Sequence, residues 1–163
     1  NRLCYLVTGD LAFFYDLNAL GNRHIGNNVR ILLINNAIGA EFKISQHFCY
    51  TFRDDADKYM AAAGHYGAKS PVLVKHFSED LGFQYLSATN KEEFLVALET
   101  FTNPNITDKP IILEVFTTHE NENEALRLMT SITMDSKQKV ADAIRSVAGE
   151  KGIKAIKSIL GRK

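Results

Sequence analysis

The fold is decided by the stretch Val29-Arg30-Ile31-Leu32-Leu33-Ile34, which is almost continuously apolar and rich in residues that favour strands. A strand that is apolar on both faces is typical of the interior of a parallel sheet. A similar run, Leu3–Thr8, precedes it and stops at Gly9-Asp10. Two more, Phe83–Ser87 and Pro110–Phe116, follow it. The sequence therefore predicts strands that belong to one mostly parallel sheet.

Segments with apolar residues at helical spacing alternate with these strands. We expect helices over Phe13–Leu20, Asp57–Gly64, Ser70–Leu81, Asn90–Phe101, Glu122–Met129 and Ser136–Leu160, the last with a break at Gly149–Gly152. The segment Asn35–Asp55 has no clear period and is predicted to be a long loop. This alternation indicates an α/β fold, a three-layer sandwich around the sheet. In such folds ligands bind outside the carboxyl ends of the strands.

Length and charge narrow the function. A chain of 163 residues predicts a single core, and 19 basic residues balance 19 acidic ones, so no net charge favours nucleic acid or an anionic membrane. No apolar run approaches the length of a membrane span. Cys4 and Cys49 are far apart and form no paired motif, so we expect two buried, reduced thiols in a cytoplasmic protein.

Polar residues at the ends of two predicted strands are the candidate metal ligands. Asp10 follows the first strand and Asn36 follows the second, so their oxygens converge if these strands are neighbours. Carboxylate and amide oxygens are hard donors, which magnesium accepts together with phosphate oxygens, carbonyls and water. We expect Gly9 to allow a tight turn and Gly39 to allow a close backbone approach. The alternative is that Asp10 and Asn36 merely cap turns.

The motif Gly9-Asp10-Leu11, followed by Asn35-Asn36 at the end of an apolar strand, resembles the metal and diphosphate motif of thiamine-diphosphate enzymes. That motif usually has a third glycine where this chain has Leu11. The departure, together with the segment Tyr15–Leu20, resembles the SEPHCHC synthases of the menaquinone pathway. The resemblance extends over about Leu3 to Phe116 and is most specific in the first third.

The resemblance implies a set of site residues. Asp10, the side chain of Asn36 and the backbone carbonyl of Ile38 would bind Mg²⁺, although these synthases tend to have glycine near position 38. Phe42 falls where the family places an aromatic residue beside the cofactor; the alternative is a loop anchor packed on the core. The cofactor-binding set implied by the family is Gly9, Asp10, Leu11, Asn36, Ile38, Gly39 and Phe42.

The resemblance also implies an activity and partners. It implies a thiamine-diphosphate- and Mg²⁺-dependent decarboxylase or carboligase that acts on a 2-oxo acid. Residues 1–135 would be the C-terminal portion of the diphosphate-binding domain, and 136–163 a helical extension with basic residues around an apolar stripe. We expect the chain to be a fragment that is inactive alone. The activating glutamate would lie on a pyrimidine-binding domain of the same or a second subunit, in a homo-oligomer.

Other interpretations stay open. Acetolactate-synthase-like and phosphonopyruvate-decarboxylase-like enzymes share the scaffold, and a flavodoxin-like binding or assembly module would keep the sheet without the chemistry. His47 and His119 are candidate substrate neighbours because one lies in the long loop and the other follows a strand. The acidic run Glu120–Glu124 is expected to begin a helix, where negative charge suits the helix dipole.

Overall fold

The computed structural model describes residues 2–44, 47–60 and 70–133. The strands are β1 (Cys4–Gly9), β2 (Val29–Asn35), β3 (Gln84–Ala88) and β4 (Ile111–Phe116). The α-helices are α1 (Asp10–Tyr15), α2 (Ala56–Tyr59), α3 (Leu73–Asp80), α4 (Lys91–Phe101) and α5 (His119–Thr133). Short 3₁₀ segments cover Leu17–Gly21, Ala40–Lys43 and Phe48–Asp55, the last with a kink at Arg53.

Within the described ranges the strands form one parallel sheet in the order β1-β2-β4-β3. Leu6 pairs with Ile31, Ile31 with Ile112, and Leu113 with Leu86, which fixes the register across the sheet. The two interior strands, β2 and β4, consist only of buried and half-buried residues, as expected for strands covered on both faces. The order brings the carboxyl ends of β1 and β2 side by side.

Two clusters of buried side chains cover the two faces of the sheet. On one face, Ile31, Leu33 and Ile112 pack with Phe13 of α1 and Val74 of α3. On the other, Ile111 and Leu113 pack with Ala97 and Phe101 of α4. Helices on both faces of a parallel sheet make three layers, so the predicted α/β class is confirmed.

Several predicted elements differ in extent. The predicted helix Phe13–Leu20 is two pieces, α1 and a 3₁₀ segment, because the backbone leaves the helical region at Asp16 (φ −109°, ψ 25°). Aspartate and asparagine at positions 16 and 18 compete with a continuous helix by bonding locally to the backbone. The predicted loop Asn35–Asp55 contains 3₁₀ segments and is not wholly irregular.

Helix ends follow the sequence signals more closely. Gly82 has φ +83°, the left-handed conformation expected after the end of α3. Asn90 caps α4, accepting a hydrogen bond from the Glu93 amide at 2.9 Å. Helix α3 begins at Leu73, after a turn that starts at the predicted Ser70. Helix α2 ends at Tyr59, because Met60 is extended (φ −115°, ψ 109°), so the predicted helix Asp57–Gly64 is shorter than expected. Residues 61–64 lie outside the described residues, as does Ser136–Leu160.

The two cysteines correct the sequence interpretation. Both are free, but Cys4 is exposed and Cys49 is only partly buried. Strand β1 lies at the edge of the sheet, and most of its side chains are exposed, including Val7 at 67%. Its apolar composition led to the expectation of a buried strand, but composition alone does not distinguish an edge strand from an interior one.

The chain divides into two compact units. The sheet and its flanking helices lie in the first, Asn1–Glu122, and the second is Asn123–Lys163. The described part of the second unit is helical and contains an ion pair between Glu124 and Arg127 at 2.6 Å. No helix in the described ranges combines the length and apolar character needed to cross a membrane.

Candidate functional site

A cavity of about 390 Å³ opens where β1 and β2 end. These strands are parallel neighbours, with Gly9 paired to Ile34, so the residues that follow each strand meet at one edge of the sheet. Six of the predicted cofactor residues line the cavity: Gly9, Asp10, Leu11, Asn36, Ile38 and Gly39. Glu122, from the first turn of α5, lines it as well.

The side chain of Asn36 is held in one orientation. Its Nδ2 donates to Glu122 Oε2 at 2.6 Å, and its Oδ1 accepts from the Ile38 amide at 3.0 Å. A flipped carboxamide would face its NH₂ group towards the Ile38 N–H, so these two contacts fix which atom is oxygen. A carboxamide oxygen has two lone pairs, which leaves one for a further partner.

Negative charge accumulates beside Asn36. Asp10 is 2% exposed although it borders the cavity. The pKa of Glu122 is raised above its ordinary value, mainly because the group is buried. The hydrogen bond from Asn36 opposes this shift, and the nearby charge of Asp10 adds to it. Glu122 Oε1 is buried and accepts no hydrogen bond in the described structure. A cation at this position would relieve both the repulsion and the unsatisfied oxygen.

The glycines of the motif have different roles. Strand β1 passes directly into α1 at Gly9, but Gly9 is extended (φ −81°, ψ 160°), a conformation that any residue adopts, so this turn does not require glycine. A Cβ on Gly9 would meet no atom within 4 Å, which leaves open space at the cavity wall. A Cβ on Gly39 would instead lie 3.0 Å from Leu11 Cδ2 and 3.1 Å from the Phe42 ring. The close approach expected at Gly39 is therefore present, and a side chain here would crowd both neighbours.

Three candidate residues, Phe42, His47 and His119, do not line the described part of the cavity. Phe42 packs on Gly39, and its ring meets the His47 ring edge-on at 5.1 Å between centroids. His47 Nδ1 accepts from the Cys49 amide at 3.1 Å, so this histidine holds the 3₁₀ segment. His119 begins α5 and pairs with Glu120 Oε1 at 3.1 Å. The described lining of the cavity includes none of these three side chains.

No group of three histidine, cysteine, aspartate or glutamate side chains in the described ranges is arranged to hold a metal ion. The side-chain oxygen donors that line the cavity are instead the carboxylates of Asp10, Glu41 and Glu122 and the carboxamide of Asn36. Such a mixed oxygen set suits a cation that takes its other ligands from a bound phosphate or from water.

Sequence reasoning missed two acidic residues. The Glu120–Glu124 run begins a helix as predicted, but Glu122 within it also holds Asn36, across 86 positions of sequence. Glu114 is 1% exposed, on the apolar strand β4. Its Oε1 accepts from Asn35 Nδ2 and its Oε2 from the Tyr85 hydroxyl, both at 2.6 Å. A lone carboxylate in an apolar interior strand was the available signal for Glu114.

The fold and this site define a parallel α/β domain with an oxygen-lined cavity at the carboxyl ends of two neighbouring strands. No family model matches the chain. It is 37% identical over 127 residues to the 2-succinyl-5-enolpyruvyl-6-hydroxy-3-cyclohexene-1-carboxylate (SEPHCHC) synthase of Phocaeicola vulgatus. The match covers 78% of the chain and 21% of that protein. The enzyme of the same name from Bacteroides thetaiotaomicron is 34% identical over 139 residues, covering 85% of the chain and 23% of that protein.

A third such synthase, from Christiangramia forsetii, is 33% identical over 127 residues, covering 74% of the chain and 19% of that protein. The chain is therefore homologous to one part of the SEPHCHC synthases, and the resemblance to this family of thiamine-diphosphate enzymes is confirmed. It spans about a fifth of the length of the curated relatives that it matches.

Proposed function

We propose that this chain supplies the diphosphate-binding part of a thiamine-diphosphate-dependent enzyme. Asp10, Asn36 and the backbone carbonyl of Ile38 would bind the Mg²⁺ ion that anchors the cofactor's diphosphate. The observation that carries the proposal is the parallel pairing of β1 with β2, which brings both halves of the motif to one cavity. The homology to SEPHCHC synthases supports the same assignment.

The residues present fit such an ion. Asn36 keeps one lone pair of Oδ1 after bonding to Ile38, and its orientation is set by Glu122. The turn from Asn36 to Ile38 brings both residues to the cavity wall. Asp10 contributes a carboxylate that is almost fully buried, where attraction to a cation is screened less than in bulk water.

The cavity also has room for a phosphate group. The open space in front of Gly9 lets a ligand approach the backbone more closely than any larger residue would allow. Leu11 lines the same cavity, and both Leu11 and Phe42 lie close to Gly39. We propose Leu11, Gly39 and Phe42 as cofactor neighbours, of which Leu11 and Gly39 line the cavity itself.

The proposed activity follows from the cofactor and the homologues. Thiamine diphosphate, when bound, supplies an electron sink for the decarboxylation of a 2-oxo acid, whose remaining fragment is protonated or joined to an acceptor. The residues of this chain would bind and orient the cofactor, so their role is positioning. The activating glutamate would come from a pyrimidine-binding domain of the same or a second subunit, in a cytoplasmic homo-oligomer.

The test uses the natural full-length protein. Calorimetry measures thiamine diphosphate binding with and without Mg²⁺, and carbon dioxide release is followed with pyruvate and 2-oxoglutarate. We expect Mg²⁺-dependent binding that Asp10→Asn abolishes and that the exposed control Asp16→Asn leaves intact. Unchanged binding in Asp10→Asn would end the assignment of the metal ligand. Absence of any thiamine diphosphate binding by the wild-type protein would favour a non-catalytic module.

A further inference from the structure

Beneath the proposed metal site lies a carboxylate to which that site gives no role. Glu114 points to the same face of the sheet as Leu33 and Ser87, with which it pairs across the strands. Side chains two residues along a strand share that face, so Asn35 and Tyr85 lie diagonally beside Glu114. The side chains of Asn35 and Tyr85 meet at Glu114, in the carboxyl-terminal half of β4.

These side chains form a chain of hydrogen bonds that ends in the metal-binding turn. Tyr85 and Asn35 each donate to Glu114 at 2.6 Å. The Oδ1 atom of Asn35 then accepts from the Ala37 amide at 3.0 Å. Ala37 has φ +65°, a left-handed conformation that residues with a Cβ adopt only under constraint.

We propose that Glu114 is a positioning residue that acts through Asn35 to hold the turn carrying Asn36 and Ile38 in its metal-binding conformation. The inference rests on the proposed function of that turn. A carboxylate only accepts hydrogen bonds, so it binds the NH₂ end of Asn35 and leaves the oxygen facing Ala37. Without this hold, Ala37 relaxes to negative φ and moves the Ile38 carbonyl away from Asp10.

The burial of Glu114 supports this role. The pKa of Glu114 is raised above its ordinary value, mainly because the group is buried. The hydrogen bonds from Tyr85 and Asn35 oppose this shift, and the charge of Asp10 adds to it. An ionised group is costly to place there, and an apolar residue would fill the interior of the sheet more cheaply. The two short hydrogen bonds are what the carboxylate adds, and one of them leads directly to the strained turn.

The test measures Mg²⁺ affinity in the natural full-length protein with thiamine diphosphate in excess. Glu114→Met and Asn35→Ala should each weaken Mg²⁺ binding about 10- to 100-fold, as the loss of an outer contact to a metal site does. High Mg²⁺ should restore full cofactor occupancy. Glu114→Gln should stay close to wild type, because its amide oxygen accepts from Asn35 and its NH₂ donates to Tyr85.

Two further variants separate positioning from general stability. Tyr85→Phe removes the other hydrogen bond to Glu114 and should lower thermal stability without changing Mg²⁺ affinity. Ala37→Gly in the Asn35→Ala background should recover most of the lost affinity, because glycine adopts positive φ without strain. A structural role alone would give no such recovery.

The outcomes distinguish this inference from the function on which it rests. If Asp10→Asn abolishes Mg²⁺ binding while folded Asn35→Ala and Glu114→Met bind normally, the positioning role is wrong and the metal site stands. An equal loss of affinity in Tyr85→Phe, or no recovery with Ala37→Gly, also overturns the route through Asn35. If the wild-type protein shows no Mg²⁺-dependent binding, both proposals fail together.

Discussion

Substitution of Gly39 by alanine tests the packing around the proposed cofactor site. The new Cβ would lie 3.0 Å from Leu11 Cδ2 and 3.1 Å from Cδ2 and Cε2 of the Phe42 ring. Carbon atoms in contact normally lie about 3.5 to 4.0 Å apart, so the methyl group overlaps its neighbours by roughly half an ångström on two sides. Overpacking of this kind costs about 1 to 3 kcal/mol of unfolding free energy.

Leu11 and Phe42 differ in how well they can yield. Leu11 meets the new methyl with the end of a flexible side chain, whereas the Phe42 ring is backed by the His47 ring. Shortening the flexible neighbour should therefore relieve part of the strain. In the double variant Leu11→Ala/Gly39→Ala, we expect the total cost to fall below the sum of the single costs by about 0.5 kcal/mol or more.

The assay is hydrogen exchange of the natural full-length protein, read by mass spectrometry on peptides that cover β2 and the segment after it. Local opening free energies from such peptides report this region separately from the remainder of the protein. The control is Gly21→Ala, where a Cβ would meet no atom within 4 Å. If the β2 peptides are equally protected from hydrogen exchange in Gly39→Ala and in Gly21→Ala, the packing account around Leu11 and Phe42 is refuted.

Four further predictions follow from single contacts. Gly9→Ala should leave thermal stability near wild type but weaken thiamine diphosphate binding in calorimetry, because its Cβ occupies open space at the cavity; unchanged affinity would contradict this. Glu122→Ala should weaken Mg²⁺ binding about 10-fold by releasing the Asn36 carboxamide, and normal affinity would show that this hold is dispensable. Asn90→Ala should cost about 1 kcal/mol in denaturant unfolding through loss of the α4 cap, whereas no loss would argue against the cap. Glu114→Gln should gain thermal stability relative to wild type as the pH rises above the ordinary pKa of glutamate, with exposed Glu92→Gln as control, and a constant difference would refute the buried-charge account.

The sign of the last prediction comes from proton binding. Burial raises the pKa of Glu114 in the folded protein above its ordinary value, so the folded state binds this proton more tightly than the unfolded state does. Wild-type stability from this group is therefore present at low pH and is lost as the pH rises through the folded pKa. Glutamine does not ionise, so the variant avoids that loss.

The interior of the sheet was the most predictable part of the fold. Strands β2 and β4 are largely apolar on both faces, and burial on both faces is the arrangement typical of such runs in a parallel sheet. Strand β1 has a similar composition but lies at the edge, since strand order depends on pairing between distant segments. The break at Asp16 was also missed, because the apolar period continues across it into the 3₁₀ segment.

Part of the candidate site could also be predicted from the sequence, and part could not. The placement of Asp10 and Asn36 at one cavity followed from the rule that parallel strands present their carboxyl ends at one edge of the sheet. The contacts of Glu122 with Asn36 and of Glu114 with Asn35 join residues 86 and 79 positions apart, and no local pattern encodes them. The left-handed Ala37 was equally hidden, because alanine gives no sequence signal for positive φ.

The most direct test of the proposed metal site is to locate the cation itself. Crystals of the natural full-length protein grown with thiamine diphosphate and Mn²⁺ in place of Mg²⁺ would give an anomalous peak at the metal position. We predict one peak about 2.1 Å from an Asp10 carboxylate oxygen, Asn36 Oδ1 and the Ile38 carbonyl, with diphosphate oxygens completing the shell. Cofactor bound with no peak between these three residues, or with the ion held elsewhere, would contradict the proposed site.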